Sequence, residues 1–368
     1  MRVKVIQMIS NQSDIQSTQI DKKPSKQLLT ALETFPISNV IQHKDSKGTR
    51  DIVSVHESTN LESVLRTLSN EHILAVPIYR NSGDLSARIF TGVVSVYDIL
   101  SFGFFQEMFD KDTFQDKDVV TAAINRFKKS SFFQSPISEV IKCRREEPIV
   151  NVLSAADPIS TLLKLFTTSK NHRVLVISSG LMIDSPIGPV PADAQLSIIS
   201  QMDLVKYFQD TLLDKTKLPA SLIENVFSIP LYSVKPLIKD ASPAIAIKES
   251  QSAMAGFNIM HINNVHAVPV INNAGTVVGT LSASDLRGLN STNLEKLTLP
   301  VLEFLEVESL DGENSSKLHC LDVTDGNVRV SKAVEILTKQ RIHHLWITNK
   351  HIISGVITLT DVLSLFQN

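Results

Sequence analysis

The chain has 368 residues, room for two or three domains at about 150 residues each. With 43% hydrophobic and 20% charged residues it has the make-up of a globular protein with a sizeable core. Its 36 basic and 38 acidic residues, net −2, give no positive field for bulk nucleic-acid or membrane-surface binding, yet leave room for a site for one small anion. Cys143 and Cys320 lie far apart and outside any CxxC pair, as expected of thiols in a reducing compartment. No run approaches the roughly 18 apolar residues of a membrane span. The expected location is cytoplasmic or nuclear.

Residues 1–28, rich in Gln, Ser and Lys, are expected to form a loose tail. PISNVI, opening at Pro36, leads into an apolar strand IVSV and a helix with apolar positions Leu61, Val64, Leu65 and Leu68. The strand ILAVPIY follows, then TGVVSVYDILSF, a strand running into a helix. After an acidic, Phe-rich insertion over 105–134, expected to be helical, PISEVI restarts the pattern at Pro136. PIVNVL, a helix on Ile159, Leu162, Leu163 and Phe166, the strand RVLVIS, an expected loop over 180–194 and LSIISQMDLVKYF complete the second pass. A linker over 210–227 precedes PLYSVK (Pro230), AIAI, a helix on Ala253, Phe257 and Met260 interrupted by Gly256, then VHAVPVI and VVGTLSASDLRGL. PVLEFL (Pro300) opens the last pass: HCLDV, a helix on Val330, Ala333, Val334 and Leu337, HLWIT, and ISGVITLTDVLSLF.

Four units of one kind result, over 29–104, 135–209, 228–290 and 297–368, each reading strand, helix, strand, strand, helix. The fold class is α/β, in the α+β sense of short mixed sheets with helices on one face. A unit of roughly 60 residues buries only about 60% of its unfolded surface. Units should therefore pair, sheet to sheet with helices outward and two clefts per pair, over about 30–209 and 222–368.

The last strand of every unit ends in a hydroxyl residue with an aspartate three residues on: Ser95 and Asp98, Ser200 and Asp203, Ser282 and Asp285 with Ser284 between, and Thr358 and Asp361 with Thr360 between. The pattern fits a helix-capping box, in which hydroxyl and acid satisfy each other's backbone amides. It fits equally a ligand site, where the helix N-terminus attracts phosphate and a short carboxylate accepts from two ribose hydroxyls. A cap prefers Glu or Gln at the acid position, and all four copies carry Asp, which favours the ligand.

Tandem units ending in Gly-x-apolar-Ser/Thr-x-x-Asp resemble CBS domains. Four of them in two pairs, over about residues 30–368, resemble the nucleotide-sensing γ regulatory subunit of AMP-activated protein kinase and its plant and fungal relatives. The resemblance implies two pseudo-two-fold Bateman modules forming a disc, and a non-catalytic, energy-sensing regulatory subunit that binds AMP, ADP and ATP. Kinase catalytic and scaffold subunits would be its partners, with no cofactor and no metal. It also implies that the four motif aspartates hold ribose and that basic residues opening the middle strands hold phosphate: His172 and Arg173 in the second unit, His343 and His344 in the fourth. Where the family carries Arg in the first unit this chain has Leu74, and Met202 replaces a basic residue in the second, so adenosine recognition is implied more strongly than triphosphate binding. His266 stands at the same place in the third unit. Arg287 either meets a phosphate or pairs with Asp285. As adjacent strand residues, His343 and His344 should point to opposite faces, against a shared metal; beside Trp346 they also read as interface packing. Neither G-x-S-x-G nor the P-loop pattern is present, and no stretch is left over for a catalytic domain. The alternatives are a scaffold with empty clefts and a CBS regulator of a non-kinase enzyme.

Overall fold

A computed structural model describes residues 26–46, 52–83, 87–105, 117–142, 152–169, 171–178, 189–211, 219–234, 245–308, 320–323, 327–349 and 352–367. Two leader helices come first, α1 (Lys26–Thr34) and α2 (Ser38–Asp45). The first unit is β1 (Val55–His56), α3 (Leu61–Asn70), β2 (Ala75–Asn81), β3 (Ala87–Ser95) and α4 (Val96–Leu100). A π-helical turn (Ser101–Phe105), α5 (Lys117–Lys129) and α6 (Ser138–Lys142) lead to the second unit. That unit comprises β4 (Val152–Ser154), α7 (Ile159–Thr168), β5 (Arg173–Ile177), β6 (Val190–Pro191), β7 (Leu196–Ser200) and α8 (Gln201–Thr211). Helix α9 (Ala220–Phe227) then precedes β8 (Ile247–Lys248), α10 (Ala253–Ile262), β9 (Ala267–Ile271), β10 (Val277–Ser282) and a 3-10 turn at Ala283–Leu286. After α11 (Val301–Glu308), the fourth unit is β11 (Cys320–Asp322), α12 (Val330–Lys339), β12 (His344–Asn349), β13 (Ile352–Thr358) and α13 (Leu359–Ser364).

Each unit builds one small mixed sheet in which the first strand runs parallel to the second and the second antiparallel to the last. The apolar stripes read from the sequence are the buried faces: Leu61, Val64, Ile159, Leu162, Ala253, Phe257, Val330 and Ala333 are all fully enclosed. Three expectations need correction. Residues 26–28 belong to α1, not to a tail, because Leu28 is buried in the core; the rest of the tail lies outside the described residues. The stretch 180–194 is not all loop, since β6 pairs antiparallel with β3 and so joins the first unit's sheet. The third unit ends in a single 3-10 turn rather than a helix. Within the insertion, α5 confirms helix and 106–116 lies outside the described residues.

The prolines that open the units explain the pairing. Pro36 bridges to Pro158, Pro136 to Asn60, Pro230 to Arg329 and Pro300 to Ser252. In every case the partner is the N-cap residue of the first helix of the other unit in the pair. Backbone bonds flank each bridge: Ile37 N donates to Asp157 O and Ile159 N to Phe35 O, Ile137 N to Thr59 O and Leu61 N to Ser135 O. The same exchange recurs in Leu231 N to Val328 O, Val330 N to Ile229 O, Val301 N to Gln251 O and Ala253 N to Leu299 O. Proline suits the bridge, having fixed φ and no N–H to satisfy. Units 1 and 2 thus trade leaders, as do units 3 and 4.

Among the described residues, the buried clusters between the sheets of a pair are small, one of Phe90, Val152, Leu175, Ile177 and Val190 and another of Ala267, Val277 and Trp346. The two large cores run across the pairs. One joins α7 and α8 to α12 and α13 beneath α1 and α9; the other joins α3 and α4 to α10, α11 and the 283–286 turn. The helices that face outward from one pair are therefore buried by the helices of the other.

Candidate functional site

The strand register brings the motifs and the candidate cations together. The motif hydroxyl residue ends the last strand opposite the first residue of the middle strand: Ser95 opposite Ala75, Ser200 opposite Arg173, Ser282 opposite Ala267 and Thr358 opposite His344. One step further, the backbone N–H after the motif hydroxyl donates to the residue before the middle strand: Val96 to Leu74, Gln201 to His172, Ala283 to His266 and Leu359 to His343. The positions Leu74, His172, His266 and His343 are thus structurally equivalent, and three of the four are histidine.

All four motifs form a capping box. Asp98 Oδ2 accepts from Ser95 N at 2.7 Å and Ser95 Oγ at 2.6 Å. Asp203 Oδ2 accepts from Ser200 at 2.8 and 2.7 Å, Asp285 Oδ2 from Ser282 at 2.7 and 3.1 Å, and Asp361 Oδ2 from Thr358 at 2.8 and 2.7 Å. Every one of these contacts falls on Oδ2. Burial pushes the Asp361 carboxyl above its ordinary range, opposed by its bonds from Thr358.

A chain of side chains links the four units at one place. Tyr97 of the first unit stands 5.8 Å, ring to ring, from His266 of the third, and His266 stands 5.3 Å from His172 of the second. His172 Nδ1 lies 3.4 Å from Gln201 Oε1, and Gln201 Nε2 donates at 2.9 Å to Thr360 Oγ1 of the fourth. Thr360 is thereby engaged by a neighbouring unit. Arg173 sits among Arg287, Asp98 and Asp203: burial and then Arg287 hold its guanidinium below its ordinary range, while the two carboxylates oppose the shift. Arg287 acts on Arg173 and His343, with its side chain exposed. Burial, then Arg173, His172 and Arg287, push His343 down to about 4. Burial, then His343, His266 and His172, push His344 down to about 3. Both imidazoles are neutral near pH 7.

His343 lies just before β12 and His344 opens it, and both residues sit within electrostatic reach of His172. The cluster reaches across both pairs. Among the described residues no group of three or more His, Cys, Asp and Glu side chains has a metal-holding arrangement, and no helix is long and apolar enough to cross a membrane. Sequence reading missed Gln201 and Lys44. The Lys44 ammonium donates to Ile198 O at 2.5 Å and to Asp203 Oδ2 at 3.2 Å. Nothing local marks either residue, because each acts on a partner more than 150 positions away.

A family model described as CBS domain matches residues 48–103, 238–290 and 323–368, within the first, third and fourth units. The second unit, outside that match, has the same strand order and the same capping box. A curated relative from Arabidopsis thaliana, "SNF1-related protein kinase regulatory subunit gamma-like PV42b", is 24% identical over 226 residues, covering 54% of this chain and 58% of the relative. "Protein SDS23" of Eremothecium gossypii is 20% identical over 246 residues, 66% of this chain and 45% of that protein. The chain thus spans about half the length of these relatives. A crystal structure from Methanocaldococcus jannaschii, described as a candidate archaeal homologue of γ-AMPK, superposes with a TM-score of 0.54 at 18% identity. The superposition covers 86% of this chain and 97% of that one, a likeness of fold.

Proposed function

We propose that this chain, which carries repeated CBS domains, is a non-catalytic regulatory subunit that binds adenine nucleotides where its four units meet and passes their charge state to a protein kinase complex. The observation that carries this reading is the position of Arg173. Register places it opposite Ser200, and it lies within electrostatic reach of both Asp98 and Asp203. A nucleotide presents a diol and an anion a few ångströms apart, and this place offers the Asp98 carboxylate as an acceptor beside a permanently charged, bidentate cation. The neutral histidines around it add N–H donors to a phosphate. Kinase regulation is supported by the likeness to the plant γ-like protein, whose name describes that role.

Arg173→Ala should weaken AMP binding by about 1.5–3 kcal/mol, the scale of a hydrogen bond to a charged group, and adenosine binding much less. Asp98→Ala should weaken both, because both carry the ribose. Isothermal titration showing equal losses for Arg173→Ala would remove Arg173 as the phosphate clamp, and a silent Asp98→Ala would leave the motif a helix cap. Sensing further requires that AMP, ADP and ATP bind with different affinities, since equal affinities shift no equilibrium.

One observation favours a second reading, a scaffold with empty clefts: each motif aspartate is already satisfied by its own N-cap. A thermal-shift series decides between them, because a ligand that binds only the folded chain must raise Tm.

A further inference from the structure

Helix α2 belongs in sequence to the first unit but lies against β7 and α8 of the second, carried there by the leader exchange at Pro36. Its penultimate residue, Lys44, places its ammonium on the carbonyl of Ile198, at 2.5 Å, and on Asp203 Oδ2, at 3.2 Å. Ile198 belongs to β7 and Asp203 to the first turn of α8, so the ammonium spans the strand-to-helix turn that forms the second motif. Asp203 Oδ2 then holds Ser200 N, Ser200 Oγ and Lys44 Nζ together. The carboxylate is half-buried, its side chain 21% exposed against 38% for Lys44.

We infer that Lys44 is a built-in counterion that holds the second unit's carboxylate closed to a neutral ribose, so that one residue outside every motif sets whether this motif takes a nucleoside. The inference rests on the nucleotide reading above. A ribose diol is an uncharged donor. To bridge both oxygens of Asp203 it must displace the ammonium from Oδ2, and the full positive charge it removes is attracted to the carboxylate more strongly than a neutral hydroxyl is. The displaced ammonium also loses the Ile198 carbonyl. Arg173, attracted by the same carboxylate, remains beside the site, so removing Lys44 leaves Asp203 with a cation nearby and does not strand it.

Adenosine is the probe, because it carries the diol without a phosphate that Lys44 would attract. The full-length chain, Lys44→Met, Lys44→Arg and the double variant Lys44→Met/Asp203→Asn are titrated with adenosine and with AMP, after thermal melts establish that each is folded. Lys44→Met should add one adenosine per chain or tighten adenosine binding by about tenfold. Lys44→Arg, which keeps the charge, should match the wild type, and Asp203→Asn should cancel the gain. Unchanged adenosine binding in Lys44→Met overturns the inference. So does weaker AMP binding with adenosine unaffected, which would make Lys44 a phosphate ligand. A wild type that binds AMP but gains nothing from Lys44→Met refutes Lys44 alone; silence of every variant towards both ligands refutes the nucleotide reading and Lys44 with it.

Discussion

Gly256 interrupts the apolar stripe of its helix in the sequence, where it looks like a weakness. The structure gives it a positive reason. A Cβ built there would stand 2.3 Å from Leu281 Cδ2 and 2.9 Å from Ile247 Cδ1, both fully buried, so α10 can approach its own sheet this closely only without a side chain. Gly256→Ala gains up to about 1 kcal/mol of helix propensity and forces overpacking worth about 1–3 kcal/mol. Net destabilisation should appear as a lower urea midpoint with unchanged slope. A stabilised variant would mean that Leu281 and Ile247 repack freely. The same scale explains the four aspartates: each closes a capping box, so their presence satisfies the helix whether or not a ligand arrives.

At the scale of elements, the sheets of units 3 and 4 meet through a polar tie within an apolar cluster. Trp346 Nε1 donates to Thr280 Oγ1 at 2.9 Å, and both residues are buried. Trp346→Phe removes the donor and leaves the Thr280 hydroxyl without it in a dry interface, at a cost of about 1–3 kcal/mol. Adding Thr280→Val should recover part of that loss, since removing both polar partners is less costly than removing one. A double-mutant cycle on unfolding free energy measures the coupling, and strict additivity would show the bond to be energetically silent. The exchanged leaders act at this scale too. Ile37 and Ile137 are fully buried in the cores of units they do not belong to in sequence, which ties each pair together through backbone as well as side chains.

Across the whole molecule, the point where the four units meet concentrates positive and neutral basic groups, and this carries a cost that depends on pH. His343 is pushed to about 4 and His344 to about 3, against about 6.5 in an unfolded chain. Below pH 6.5 the unfolded chain takes up protons that the folded one refuses, so stability falls with falling pH down to the folded values. The stabilisation is complete above about pH 6.5, and by pH 5 each imidazole accounts for a loss of roughly 2 kcal/mol. Asp361, raised in the folded state, works in the opposite direction at the acid end of the window. Urea unfolding at pH 7.5 and 5.0 should show the fall, and His344→Gln should flatten it. An identical pH slope in that variant would mean that His344 is not held neutral in the fold.

Local pattern in the chain is enough to place the units and most of their elements. Apolar positions at helical spacing, short β-branched runs and a recurring hydroxyl-x-x-Asp each encode a period, and a period states which face is buried and where an element ends. Equivalent positions such as His172 and His343 were legible through the family resemblance, which puts basic residues at the opening of each middle strand. Periodicity does not state what covers a buried face. What covers it is set in three dimensions: helices pack across the pairs, the first unit against the third and the second against the fourth. The same level of structure adds 190–191 as a strand to another unit's sheet, brings Gln201 to Thr360 and sets Lys44 on Asp203. Those contacts join residues more than 100 positions apart, and their specificity lies in the shape and charge of surfaces that meet after the elements have formed.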